Sequence, residues 1–287
     1  MATIVSLHAH PDDESITVGG LLALAHDAGH RTVLVFATRG ELGTPVEGVL
    51  ADGEQLAIRR TAECYDSAEV LGVDRVEFLG YCDSGMVGDH TNDHPWTFWQ
   101  ADVEQAANRL AAILHEEQAT LLTTYDDHGG YGHPDHIQVH RVGRRAAEVA
   151  GVPIVAQATH SRELATRSVD EARDGELPEL SAESMEGFEG VEPPSLPPDF
   201  GTPVADITHV VDVTAVIDRK RSSMRAHASQ IGADHFMVTM PDPVFAYVFG
   251  TEWFVVDRLD AAGGRADADD LLAELFTPNP DHQVNTG

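Results

Sequence analysis

The chain has 287 residues, 42% of them hydrophobic, enough for one large α/β domain or one domain with a small appendage. Its formal charge is −30, from 48 acidic against 18 basic side chains, so a nucleic acid would meet net repulsion and is excluded as a partner. No apolar run approaches the roughly 18 residues of a membrane span, Cys64 and Cys82 are too few for a disulfide framework, and no leader precedes Thr3–Leu7, so a cytoplasmic protein is expected.

In chain order, short apolar runs alternate with helix-length segments as far as about residue 160. Strands are predicted at 3–8, 32–37, 75–79, 120–125 and 153–158, apolar along their whole length as strands buried on both faces are. Helices are predicted at 15–28, 54–71, 101–117 and 134–150, the last with Val139, Val142 and Ala146 at three- and four-residue spacing. The alternation predicts an α/β, Rossmann-like, mostly parallel sheet flanked by helices, with a small C-terminal α+β appendage.

The core is thus placed at 1–160. Residues 161–202 carry eleven acidic residues against three arginines, with prolines at 178, 193, 194, 197 and 198, and read as a linker or long loop. Residues 203–258 then complete the catalytic domain, with a strand near 208–213, a helix near 214–229 and an aromatic segment at Phe245–Val256. An acidic tail, 259–287, follows, with a short helical pattern at 268–276.

Two clusters carry the chemistry. His8-Ala9-His10-Pro11-Asp12-Asp13-Glu14-Ser15 follows the first strand, and Gly129-Gly130-Tyr131-Gly132-His133-Pro134-Asp135-His136 follows the fourth. Both contain His-Pro-Asp, and both stand where an open α/β sheet places its ligands, beyond the carboxyl ends of its strands. Proline fits a first helical turn, so each loop bends into a helix there. That turn lets His10 and Asp13 converge, with His136 arriving from the other loop. Two imidazoles and one carboxylate leave positions open for water and substrate, as in catalytic zinc sites. Asp12 then sits beside the metal as a general base. The same ligand set also serves ferrous iron. Taken singly, each loop reads equally as histidine hydrogen bonding and aspartate helix capping. The pair favours a metal site.

These two motifs together resemble the LmbE/PIG-L family of metal-dependent N-deacetylases, whose members act on N-acetylglucosaminyl lipids and on thiol-glycoside precursors, including those of mycothiol. The resemblance covers about residues 1–160, and Arg225-Ala226-His227-Ala228-Ser229-Gln230 is similar to the family's end region. It implies metal ligands His10, Asp13 and His136, general base Asp12, a protonated His133 that stabilises the oxyanion, and a mobile Tyr131 that helps polarise the carbonyl. It also implies substrate contacts at Arg60 and Asp83, although Asp83 reads equally as a turn residue and Arg60 as the partner of Glu63 one helical turn on.

The function expected is removal of an N-acyl, first of all N-acetyl, group from an amino-sugar small molecule. The alternatives are an amidase of larger thiol-glycoside conjugates of the mycothiol S-conjugate type and a non-catalytic metal- or sugar-binding module. Arg39–Gly43 and Trp96–Trp99 are candidate pocket walls, and His227 and Gln230 candidate site-facing residues. Gly19-Gly20 and Gly129-Gly130 lack the spacing of a nucleotide-binding loop.

Overall fold

The structure is a computed structural model that describes residues 1–174, 195–197, 199–259 and 266–282. Its frame is one eight-stranded sheet of order β3-β2-β1-β4-β5-β7-β6-β8. The first five strands are β1 (Thr3–His8), β2 (Arg31–Phe36), β3 (Arg75–Phe78), β4 (Leu121–Tyr125) and β5 (Ile154–Thr159), and their pairings with one another are parallel. The C-terminal strands β6 (His209–Asp212), β7 (Thr251–Arg258) and β8 (Thr277–Pro278) continue the same sheet antiparallel, β7 pairing directly with β5.

Both faces of β1, β2, β4 and β5 are buried, which is why these strands read as largely apolar runs, while the edge strand β3 is only half-buried. Ile4, Leu34 and Phe36 pack on one face with Leu21, Leu22 and Leu71. Val5, Leu7, Val33 and Val35 pack on the other with Leu110, Leu114, Val139 and Val142. The helices behind these contacts are α2 (Gly19–Asp27) and α3 (Leu56–Leu71) on the first face, α4 (Val103–Glu116) and α6 (Pro134–Ala150) on the second. Asp102 caps α4 by accepting from the Gln105 amide at 2.9 Å, so the helix starts two residues later than its apolar pattern suggests.

Several elements differ from the sequence expectation. The helix expected at 15–28 is two, a short α1 (Asp13–Thr17) and α2, broken at Val18, whose φ of −136° is not helical. A Cβ on Gly20 would stand 2.3 Å from Val213, so the second piece turns to lay its glycine face against the C-terminal region. In the expected linker, the described residues Arg162–Asp174 form a helix, α7. Residues 175–194 and 198 of that stretch lie outside the described residues. Towards its end, Thr202 bridges to Ser161, and the Gly201 amide donates to the Gly130 carbonyl at 3.0 Å. The expected helix at 214–229 is α8 (Ile217–Ala226) after one 3₁₀ turn, and the aromatic segment divides between α10 (Asp242–Phe249) and β7. Single turns, α5 (Gly129–Gly132) and α9 (Phe236–Thr239), precede α6 and α10, and the tail's helical pattern is α11 (Ala266–Leu275).

The order β3-β2-β1-β4-β5 positions the site. From β1 the chain winds outward through β2 and β3, then returns to β1's other side as β4. The carboxyl ends of β1 and β4 therefore flank the point where the winding reverses, and the two histidine loops leave from those ends.

Candidate metal centre and active site

The two loops meet. His10 Nδ1 lies 3.4 Å from one oxygen of Asp13, and His136 Nε2 lies 3.4 Å from the other. Ligands bonded tetrahedrally at about 2.0–2.1 Å stand roughly 3.3 Å apart, so these separations suit a small divalent ion among them. One ring nitrogen each from His10, His133 and His136 lies within 4.8 Å of the others, and all three residues are buried. A second group within the same limit joins His10 to Asp83 and Asp135.

Neighbouring groups fix each ring. His10 Nε2 faces Asp135 Oδ2 at 3.2 Å and so donates to it, leaving Nδ1 turned towards Asp13. Asp135 is held in turn by the Ser84 amide at 3.0 Å and by the Ser84 hydroxyl. A carboxylate behind a ligating imidazole orients the ring and raises its basicity. Burial pulls the His10 pKa down, but hydrogen bonds to Asp13, Asp135 and Asp83 outweigh it and hold the ring well above its ordinary value. His136 stacks on Tyr125, 4.5 Å between centroids and 29° between planes. The backbone leaves no room for a side chain opposite: Gly129 has φ +69°, and a Cβ there would lie 2.7 Å from that of His136.

Asp12 stands at the start of α1 with φ 108°, a strained conformation for a non-glycine residue. Its amide donates to Glu14 Oε2 at 3.0 Å, and Arg60 Nη2 donates to its Oδ1 at 3.1 Å. Burial pushes its carboxyl up to about 6, against the pull of Arg60. That value suits a group that must take up a proton near neutral pH. Glu14 also accepts from the distant Ser67 at 2.6 Å and pairs with His227 Nε2 at 2.6 Å, so His227 supports the first loop from behind and does not face the cavity. Gln230 does line the cavity.

His133 caps α6. Its Nδ1 accepts from the Asp135 amide at 3.1 Å, which requires that nitrogen to be unprotonated. Burial and the neighbouring His10 and His136 lower its pKa to about 3. The structure therefore favours a neutral ring with its proton on Nε2, where the sequence reading expects a protonated one. A neutral Nε2–H is still a hydrogen-bond donor. Tyr131 is partly exposed between glycines of positive φ, its hydroxyl 3.4 Å from His136 Nε2.

The remaining expectations separate. Arg60 is buried and does not pair with Glu63, whose carboxylate instead accepts from the Ser229 amide and hydroxyl at 2.9 and 2.6 Å. Its guanidinium donates to the Gly40 carbonyl at 2.7 Å, to the Pro11 carbonyl and to Asp12. Asp83 is a turn residue, accepting from Gly85 at 2.8 Å and from Leu42 at 3.2 Å, and it also stands 3.6 Å from His10 Nε2. Both line a cavity of about 460 Å³ over the histidines, with Leu42, Gly43 and Thr44 on one wall. Trp96 and Trp99 do not reach it; Trp96 is 61% exposed beside His94, and Trp99 lies under Arg141. Asp89 and Met86 line the cavity without having been singled out in the sequence, because a loop between strands carries no periodicity to place them. Asp135 and Glu14 lie inside the quoted motifs, and only the packed loops reveal what each carboxylate holds.

Residues 5–147 match the family described as PIG-L: GlcNAc-PI de-N-acetylase. The 1D-myo-inositol 2-acetamido-2-deoxy-alpha-D-glucopyranoside deacetylase of Thermomonospora curvata is 36% identical, over 96% of this chain and 97% of its own. The chain belongs to the PIG-L family. Another member of the family, the Thermobifida fusca protein of the same name, is 37% identical over 95% of this chain and 98% of its own. Among solved structures, the PIG-L fold is shared with N,N'-diacetylchitobiose deacetylase from Pyrococcus horikoshii, at TM-score 0.53 and 22% identity over 89% of this chain and 84% of that one.

Proposed function

We propose that the protein is a zinc-dependent hydrolase that removes an N-acyl group, acetyl included, from an amino-sugar-containing small molecule. The observation that carries this reading is the placement of Asp12, a half-buried carboxylate that lines the same cavity as His10, Asp13 and His136 and is held there by Arg60 at 3.1 Å. A binding module would need the three ligands but not the base. The names of the Thermomonospora and Thermobifida relatives support an N-acetylated aminoglucoside as substrate.

His10, Asp13 and His136 would hold the ion, a donor set that suits zinc and also admits ferrous iron. The ion supplies Lewis acidity towards water and the amide carbonyl. Asp12 accepts the water's proton as the C–O bond forms. The Nε2–H of His133 and the Tyr131 hydroxyl donate to the carbonyl oxygen as it gains charge, interactions that strengthen in the transition state. Asp12 then carries the proton to the departing nitrogen. Asp83 and Arg60, in the wall of the same cavity, face the sugar side, with Arg60 acting first on Pro11 and Asp12.

The test is release of primary amine from N-acetylglucosamine glycosides by the zinc-loaded protein, with Asp12→Asn beside it. The expected result is release by the native protein and a rate lower by about 10²–10⁴ in a variant that keeps its zinc. Zinc bound by both, with no amine from any N-acetylated sugar, would overturn the reading.

A further inference from the structure

The polar cavity over the histidines adjoins a second chamber of about 330 Å³, the two sharing Ile16, Thr17, Tyr131, Thr159 and His160. Beyond that shared wall the character changes. The chamber is built from Leu164 and Val169 of α7, from Phe236 of α9, from Val244 and Phe249 of α10, and from Met240 in the link between those two helices. Lys220 and Glu252 reach its lining but are bonded to each other at 2.5 Å, so they offer a ligand little. Arg60, Asp83, Asp89 and Gln230 line only the polar cavity.

An amide presents two unlike ends. A sugar's hydroxyls need hydrogen-bonding partners, and those stand on the Arg60–Asp83–Gln230 side. With the sugar there and the carbonyl at the histidines, the acyl group points away from the nitrogen, past Tyr131 and Ile16. An acetyl methyl ends at that wall. A longer chain enters the chamber, whose methionine lining adapts to flexible alkyl groups.

We propose that this chamber is an acyl pocket, so that beside N-acetyl sugars the protein takes amides whose alkanoyl chain has about six to ten carbons, a length matched to a site of this size. The inference rests on the amide-hydrolase reading above. The reaction is hydrolysis throughout: water's oxygen bonds to the acyl carbon, the C–N bond breaks, one proton goes to the sugar nitrogen, and a fatty carboxylate leaves with the free amine.

The experiment is calorimetric titration of the metal-free native protein with N-acetylglucosamine, with N-octanoylglucosamine, and with the octyl glycoside of N-acetylglucosamine. Chain-length dependence of amine release by the zinc-loaded protein is measured alongside. Each methylene buried is worth about fourfold in affinity, so N-octanoylglucosamine should bind on the order of 100-fold or more tighter than the acetyl compound. Ala165→Trp and Ser168→Phe, which fill the chamber from α7, should each shrink that ratio, so either variant suffices if the other does not fold. Equal affinities for the two amides would overturn the proposal. A gain confined to the octyl glycoside would also overturn it, by assigning the chamber to the aglycone. If N-acetylglucosamine is cleaved and the octanoyl chain brings nothing, the acyl pocket falls and the hydrolase stands. If the octanoyl compound binds tightly and no amide is cleaved, the pocket stands and the hydrolase falls.

Discussion

Arg60 and Asp12 are joined directly: one guanidinium nitrogen lies 3.1 Å from Asp12 Oδ1 and also donates to the carbonyl of Pro11. The arginine on α3 thereby holds the first histidine loop and offsets the burial that pushes Asp12 up to about 6. Asp12 can accept a proton only when ionised, so kcat/KM should fall as pH drops through its pKa. Arg60→Gln removes the cation, the Asp12 pKa rises, and the acid limb of the profile should move to higher pH. Parallel pH profiles of kcat/KM check this. An unmoved limb with a lower plateau would mean that Arg60 only binds substrate.

Asp135 orients His10 through a 3.2 Å contact to Nε2. Asp135→Asn should therefore weaken metal affinity by about 10–100-fold while leaving the ligands in place. Competition with a chromophoric chelator measures it. Full affinity in the variant would show that Ser84, not His10, is what Asp135 serves.

The metal loops are legible in the sequence because their residues are contiguous, and the strand–loop–helix pattern says where each loop leaves the sheet. What the sequence leaves open is carried by contacts far apart in the chain. Glu14 meets His227 across 213 positions, and Arg60 meets Asp12 across 48. Helix α7 is hidden for another reason: its charged residues dominate the composition, while Leu164, Ala165, Ser168 and Val169 form the narrow face that lines the apolar chamber. The parallel strands are readable because both faces are apolar. The break at Val18 is not, since it answers to the packing of Gly20 against Val213.

Lys220 and Glu252 form a fully buried pair at 2.5 Å, and Glu252 also accepts from the amides of Gly20 and Leu21 at 2.7 and 2.9 Å. Removing the lysine alone leaves an uncompensated buried carboxylate. Lys220→Met should therefore cost about 3–5 kcal/mol, and the double variant Lys220→Met/Glu252→Gln less than the single. Urea midpoints at a common slope give the comparison.

His8 is buried between Ser6 and Tyr125, at 2.7 and 2.9 Å, and burial lowers its pKa from 6.5 to about 4. The unfolded chain takes up this proton first as pH falls. The stability that His8 contributes by staying neutral is thus complete above pH 6.5 and lost progressively down to about 4. The loss should approach about 3 kcal/mol at most. Denaturant unfolding of the native protein and His8→Gln across this window should show the steeper decline in the native chain.

The single lysine has a practical consequence. The other 17 Lys/Arg side chains are all arginines, and the only ε-amine, carried by α8 itself, is buried against Glu252. Folded protein should thus be almost silent to amine-reactive dyes apart from its α-amino group. Such a dye would see the amine product of the proposed reaction against a dark background. Added to a stressed sample, it would brighten at Lys220 only when the helices that enclose it part from the sheet.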